Sequence, residues 1–154
     1  MKAIFLFLSL LGFLYAGDGV KKVVFDLTTG DSAVLKQKIF SGISFDKSYY
    51  EGKLEDLQVA VVIHGDAYKF FVKDLQKTPY AKDSALQQEQ ADISKRIQSL
   101  HSLYNVEFLI CASGMKHKNI DPQNVPEYIK IIPNASIGLI DKQNEGYAYI
   151  PVAH

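Results

Sequence analysis

The chain has 154 residues, 47% hydrophobic and 22% charged, which suits one compact domain and is too short for two of ordinary size. Lys plus Arg and Asp plus Glu each number 17, so the net charge is zero, and with no basic excess to neutralise a phosphate backbone, nucleic acid is disfavoured as a partner. The one cysteine, Cys111, excludes an intrachain disulfide, a thioredoxin-type cysteine pair and a multi-cysteine zinc or iron–sulfur site.

Residues 1–16 begin with one positive charge, Lys2, and continue as an apolar run that stops at Ala16-Gly17-Asp18, the pattern of a secretory signal peptide. Ala3 to Ala16 falls short of the ~18–20 apolar residues a spanning helix needs. The expectation is therefore export to the periplasm, cleavage after Ala16 and no stable membrane insertion afterwards. Leu14 at the −3 position departs from the small-residue rule for cleavage, and a retained N-terminal anchor is the alternative. The residue directly after the cleavage point is Gly17 and not a cysteine, which argues against lipid anchoring. Residues 17–154 then form a single domain, with 16 basic against 17 acidic side chains once Lys2 is gone.

Along that domain, short apolar runs alternate with helical stretches, the signature of βαβ units and a mostly parallel sheet. The first predicted strand is Lys22–Leu27. Asp31 or Ser32 then caps a helix carrying Leu35, Ile39, Gly42 and Ile43 on one face. Gln58–Ile63 is apolar on both faces, as in a strand with helices above and below it. A short helix over Ala67–Leu75 ends at Thr78-Pro79. A longer one follows with Ile93, Ile97, Leu100 and Tyr104 on one face. Val106–Cys111 is the third strand, with a helical turn at Lys116–Asn119. Tyr128–Ile132 is the fourth strand, a helix runs from Pro133-Asn134 to about Asn144, and Tyr147–Ile150 is the fifth strand after Gly146.

In open α/β sheets the loops at the carboxyl ends of the strands converge on the ligand crevice. Here those loops are Thr28 to Asp31, His64 to Asp66 and Cys111 to Met115, which makes Thr29, Gly30, Gly65, Ser113, Gly114 and Met115 candidate binding residues. A thiol at such a strand end, followed by a helical turn, faces N–H groups and a positive dipole end that favour thiolate. Cys111 is thus either a nucleophile or core packing that continues Phe108-Leu109-Ile110. An unpaired cysteine in an exported chain tilts the balance modestly towards a reactive thiol. His64 can supply a proton or orient the thiolate if the second and third strands are neighbours, or can be a structural histidine. Lys116, His117 and Lys118 can hold an anion or simply be solvated. The four histidines show no metal-ligand spacing, and no metal or cofactor is expected. Thr28-Thr29-Gly30-Asp31-Ser32 is reminiscent of a phosphate-cradling loop, but the Asp31 carboxylate would repel phosphate, and a helix N-cap is the better reading.

Lys22-Val23-Val24-Phe25-Asp26-Leu27, Val59-Ala60-Val61-Val62-Ile63-His64-Gly65, Phe108-Leu109-Ile110-Cys111-Ala112-Ser113-Gly114-Met115 and Gly146-Tyr147-Ala148-Tyr149-Ile150-Pro151 together resemble the DsrE/DsrF-like sulfur-relay proteins. The resemblance implies a three-layer α/β/α sandwich with a five-stranded, mostly parallel sheet in the order 4-3-2-1-5. It also implies homo- or hetero-oligomers, often trimers or hexamers, of which a homo-oligomer is the expectation here, and a cysteine that carries sulfur as a persulfide to a partner protein. That role passes to Cys111 alone, with His64 as part of the site's lining. Export is a departure, because sulfur relay in the family is best known from the cytoplasm.

Two functions follow. One is a periplasmic sulfur carrier, at most sulfurtransferase-like, with a sulfur donor or acceptor protein as partner. The other is a non-catalytic ligand-binding or assembly module in which Cys111 merely packs. Rhodanese-like catalysis lacks an arginine-closed loop after Cys111, and a redox disulfide enzyme lacks a resolving cysteine.

Overall fold

The computed structural model describes residues 20–153; the predicted leader, residues 1–16, lies outside them. Five strands, β1 (Val20–Leu27), β2 (Asp56–Ile63), β3 (Glu107–Cys111), β4 (Lys130–Ile132) and β5 (Ala148–Val152), form one sheet in the order β4-β3-β2-β1-β5. All four pairings are parallel. The sheet is therefore wholly parallel, in the strand order the resemblance implies. β2 sits at its centre, and Val59–Ile63 are all buried because helices cover both faces.

The helical layers follow from handedness. From β1 to β4 the chain steps along the sheet in one direction, then reverses across it to reach β5. Right-handed crossovers consequently place the β1–β4 connections on one face and the last connection on the other. The first face carries a continuous helical segment that is α-helical at Ser32–Val34 (α1), widens to π-type pairing over Leu35–Ser41 and is α-helical again over Gly42–Glu51 (α2). It also carries α3 (Ser84–Tyr104) and the short α4 (Ala112–His117). The opposite face carries α5 (Ala135–Asn144), seated over Val62, Leu109 and Ile132 at Gly138. The wide turn lets Leu35, Ile39, Phe40 and Ile43 all reach the core. Asp31 is the cap, accepting from the Ala33 and Val34 N–H groups.

Four expectations need correction. Ala67–Leu75 is not one helix but two 3₁₀ turns, Ala67–Phe70 and Leu75–Lys77. Buried Asn124 takes the intervening backbone: its carbonyl and side-chain oxygens accept from the Lys73 and Asp74 N–H groups at 2.7 and 2.9 Å, leaving no helical ladder there. The turn placed at Lys116–Asn119 begins instead at Ala112, directly against the thiol, and Asn119 stops it at φ 51°. Tyr104 is not on the buried face of α3 but 36% exposed, where Asn105 ends the helix in the left-handed conformation. β5 runs through Pro151 to Val152, which an edge strand tolerates because it leaves one row of N–H groups unpaired.

Candidate functional site

Between β3 and β4 the loops leave the sheet in opposite directions, β3 into α4 on one face and β4 into α5 on the other. Such a divergence opens a crevice at the carboxyl ends of the strands. Cys111 is the last residue of β3 and stands at that crevice, 4% exposed. Its extended backbone makes it the N-cap of α4, with Sγ 3.5 Å from the Gly114 N–H. The loops close on each other through the Ser113 N–H, which donates to the Pro133 carbonyl at 3.3 Å.

Burial pushes the Cys111 thiol up. The N–H groups of Gly114, Ala135 and Ser113 outweigh it and hold the thiol below its ordinary value. Ala135 opens α5 and Ser113–Gly114 lie in the first turn of α4, so donors from two helix starts on opposite faces favour the charge on one sulfur. Tyr68, 1% exposed, donates its hydroxyl to the Cys111 carbonyl at 2.9 Å.

His64 lies one residue beyond Ile63, and Cys111 one beyond Ile110, and those two isoleucines are paired across β2 and β3. The imidazole and the thiol therefore belong to the same sheet face on neighbouring strands. The histidine's hydrogen bond runs the other way: Nε2 is 2.6 Å from Asp26 Oδ1 on β1. The second carboxylate oxygen of Asp26 accepts from the Tyr149 hydroxyl on β5 at 2.7 Å.

The other candidates divide. Ser113 and Gly114 surround the thiol. Met115 is 1% exposed and belongs to the core. Lys116 and His117 are solvent-facing, while Lys118 holds Asp66 at 2.7 Å. Gly30 and Gly65 bring the first two loops together, while Thr29 is bonded within its own loop and to the Val152 carbonyl. Thr29 Oγ1 accepts from the Asp31 N–H at 3.0 Å, and Thr28 O accepts from the Asp66 N–H at 2.9 Å. Gly65, at φ 65°, has no room for a Cβ, which would meet Thr28 O at 2.9 Å. A Cβ on Gly30 would meet Asp66 Cβ at 2.9 Å.

Asp26, Tyr68, Ala135 and Tyr149 escaped the sequence reading. Asp26 did carry a signal, a carboxylate inside the apolar run Val23-Val24-Phe25-Asp26-Leu27 just before a strand-end loop. Tyr68 and Ala135 carried none, since their approach to Cys111 depends on tertiary packing. Among the described residues no group of three or more His, Cys, Asp or Glu side chains is placed to hold a metal ion, and no helix is long and apolar enough to cross a membrane.

Residues 22–152 match the sequence model of the DsrE/DsrF-like family. An uncharacterized protein of Aquifex aeolicus is 30% identical over 154 residues, a match that covers 98% of this chain and 64% of that protein. The chain thus spans about two thirds of its relative's length, at 64%. The solved structure of a protein of unknown function from Methanobacterium thermoautotrophicum superposes with a TM-score of 0.65 at 18% identity, covering 85% of this chain and 98% of that one.

Proposed function

The chain belongs to the DsrE/DsrF-like family, and from that membership we propose that it is a sulfur carrier whose Cys111 holds sulfur as a persulfide and hands it to a partner protein. One observation carries the reading: at the β3–β4 divergence, backbone donors from the starts of α4 and α5 hold the thiol below its ordinary value, and the thiolate is the nucleophile in sulfur chemistry. In the loading step the Cys111 thiolate attacks the terminal sulfur of a hydropolysulfide. A new S–S bond forms to Sγ and the old one breaks. The shortened polysulfide leaves with the electron pair, so Sγ is oxidised, the leaving chain is reduced, and the proton stays on the transferred sulfur. Unloading repeats the exchange, with an acceptor thiolate attacking the outer sulfur and Cys111 thiolate departing.

Intact mass spectrometry after incubation with polysulfide tests this. The expected result is an addition of about 32 Da per sulfur, reversed by reductant and abolished in Cys111→Ser. A chain that gains no mass overturns the reading.

The 4% exposure of Cys111 favours a second reading, a ligand-binding or assembly module with a packing cysteine. Under it the native thiol resists iodoacetamide until denatured.

Residues 1–16 support export to the periplasm with Gly17 as the mature N-terminus, checked by mass analysis of protein from the native compartment. The exposed Ile137 and Ile140 on α5 and Ile150 on edge strand β5 support a homo-oligomer, a trimer or hexamer. Light scattering that finds only monomer at micromolar concentration counts against it.

A further inference from the structure

Asp26, His64 and Tyr149 come from three adjacent strands, β1, β2 and β5. The Asp26 carboxylate is 15% exposed, and both its oxygens are engaged, one by His64 Nε2 at 2.6 Å and one by the Tyr149 hydroxyl at 2.7 Å. A carboxylate only accepts, so both bonds are donated to it. The donor on the histidine is therefore Nε2–H, and in the neutral ring the lone pair is left on Nδ1. Among the described residues Nδ1 has no hydrogen-bond partner. His64 directly follows Ile63, the last residue of β2, as Cys111 follows Ile110 on β3, and Ile63 and Ile110 are paired on strands about 4.8 Å apart.

We propose that Asp26 and Tyr149 are positioning residues that hold His64 with Nδ1 as proton acceptor for the Cys111 thiol. This rests on the thiol site described above. In the step, the Sγ–H bond breaks, an Nδ1–H bond forms, and the imidazolium faces the Asp26 carboxylate; no oxidant or further reactant takes part. Tyr149 holds the second carboxylate oxygen and so limits rotation of the carboxylate. The hydrogen bond to Asp26 pushes the Tyr149 hydroxyl up, which keeps it a donor.

The other groups around His64 are few. Asp66, two residues on, is neutralised by Lys118. α5, packed on the same face, presents Ala-Ser-Ile-Gly-Leu-Ile before its first charged residue, Asp141. The rest of the first turns of α4, Ala112 to Gly114, is uncharged.

The test is nuclear magnetic resonance on the labelled full domain, without any sulfur compound. Two-bond nitrogen–proton correlations report the His64 tautomer, and the Cys111 Cβ carbon shift across pH reports ionisation of the thiol. The wild type is expected to show Nε2–H. Asp26→Asn is expected to mix the tautomers and raise the Cys111 midpoint, lowering the thiolate equilibrium about tenfold. Tyr149→Phe, at an exposed position, is expected to keep the tautomer and lower that equilibrium about threefold, and Asp26→Glu to restore part of the Asp26→Asn loss. An Nδ1–H tautomer in the wild type overturns the proposal. So does a Cys111 midpoint that stays or falls in Asp26→Asn. Failure of Cys111 to take up sulfur overturns the carrier reading alone, because neither measurement here involves persulfide.

Discussion

Gly114 lies against the ring of Tyr68: a Cβ at this glycine would come within 2.8 Å of Tyr68 Cζ and closer still to the hydroxyl oxygen. The ring cannot yield, because it is 1% exposed and its hydroxyl is bound to the Cys111 carbonyl at 2.9 Å. Gly114→Ala is therefore expected to cost about 1–3 kcal/mol of stability, the usual range for overpacking. Tyr68→Phe is expected to cost about 0.5–1.5 kcal/mol through the lost hydrogen bond. In the double variant the nearest clashing atom is gone, so the two costs should add to less than their sum. Denaturant unfolding of the four chains checks this, and strict additivity would refute the contact.

Leu54 ends the turn after α2 at φ 59°, and it is 98% exposed. A leucine in the left-handed region carries strain of roughly 1–2 kcal/mol, and here no burial compensates it. The chain's other non-glycine residues of positive φ, among those described, are Asn105 and Asn119, whose short polar side chains tolerate the conformation. Leu54→Asn is expected to stabilise the fold by up to about 1 kcal/mol. A drop in the thermal midpoint would overturn the strain argument.

Lys118 joins the loop after α4 to Asp66 in the loop after β2, Nζ to Oδ1 at 2.7 Å. The ammonium holds the Asp66 carboxyl below its ordinary range. The contribution of a depressed carboxyl is present above its unfolded pKa of about 3.9 and is lost as pH falls through the folded value. Asp66 is 72% exposed, so screening keeps the contribution small. Lys118→Ala is expected to cost less than about 1 kcal/mol at neutral pH, and less again in molar salt. A larger, salt-independent loss would show that the lysine stem, rather than the charge, does the packing.

The sheet was legible because its strands are runs of buried aliphatic residues, Val59–Ile63 above all, with turn residues between them. Those runs place Cys111 and His64 at strand ends without further information. The hydrogen-bond partners were not legible in the same way. Asp74 and Asn124, 50 residues apart, exchange bonds that override the helical pattern of Ala67–Leu75, and no local propensity registers such a partner. Likewise, the divergence at β3 and β4 depends on where β5 docks. Only the full strand order shows that the donors of Ala135 converge on Cys111 with those of Gly114.

The thiol also sets a pH dependence of stability. Cys111 is buried, and despite that burial the N–H groups of Gly114, Ala135 and Ser113 hold it below its ordinary value, whereas in the unfolded chain it returns to about 8.5. Where the thiol proton passes to solvent rather than to His64, the unfolded chain binds more protons than the native one between the folded value and about 8.5, so stability rises with pH across that window. The contribution is full above about 8.5 and is lost as pH falls through the folded value. Cys111→Ser removes the titrating group while keeping a small side chain, so its stability should be flatter over the same interval, with the difference between the two chains growing towards alkaline pH. Tyrosines and lysines, which titrate near 10 and above, affect both chains alike and cancel in the comparison. The measurement is the denaturation midpoint of both proteins, under reductant, from pH 6 to 9. A difference constant with pH would mean that the fold leaves the thiol at its unfolded value, and one that shrinks as pH rises that the fold keeps it protonated; in either case the donors at the starts of α4 and α5 do not outweigh burial.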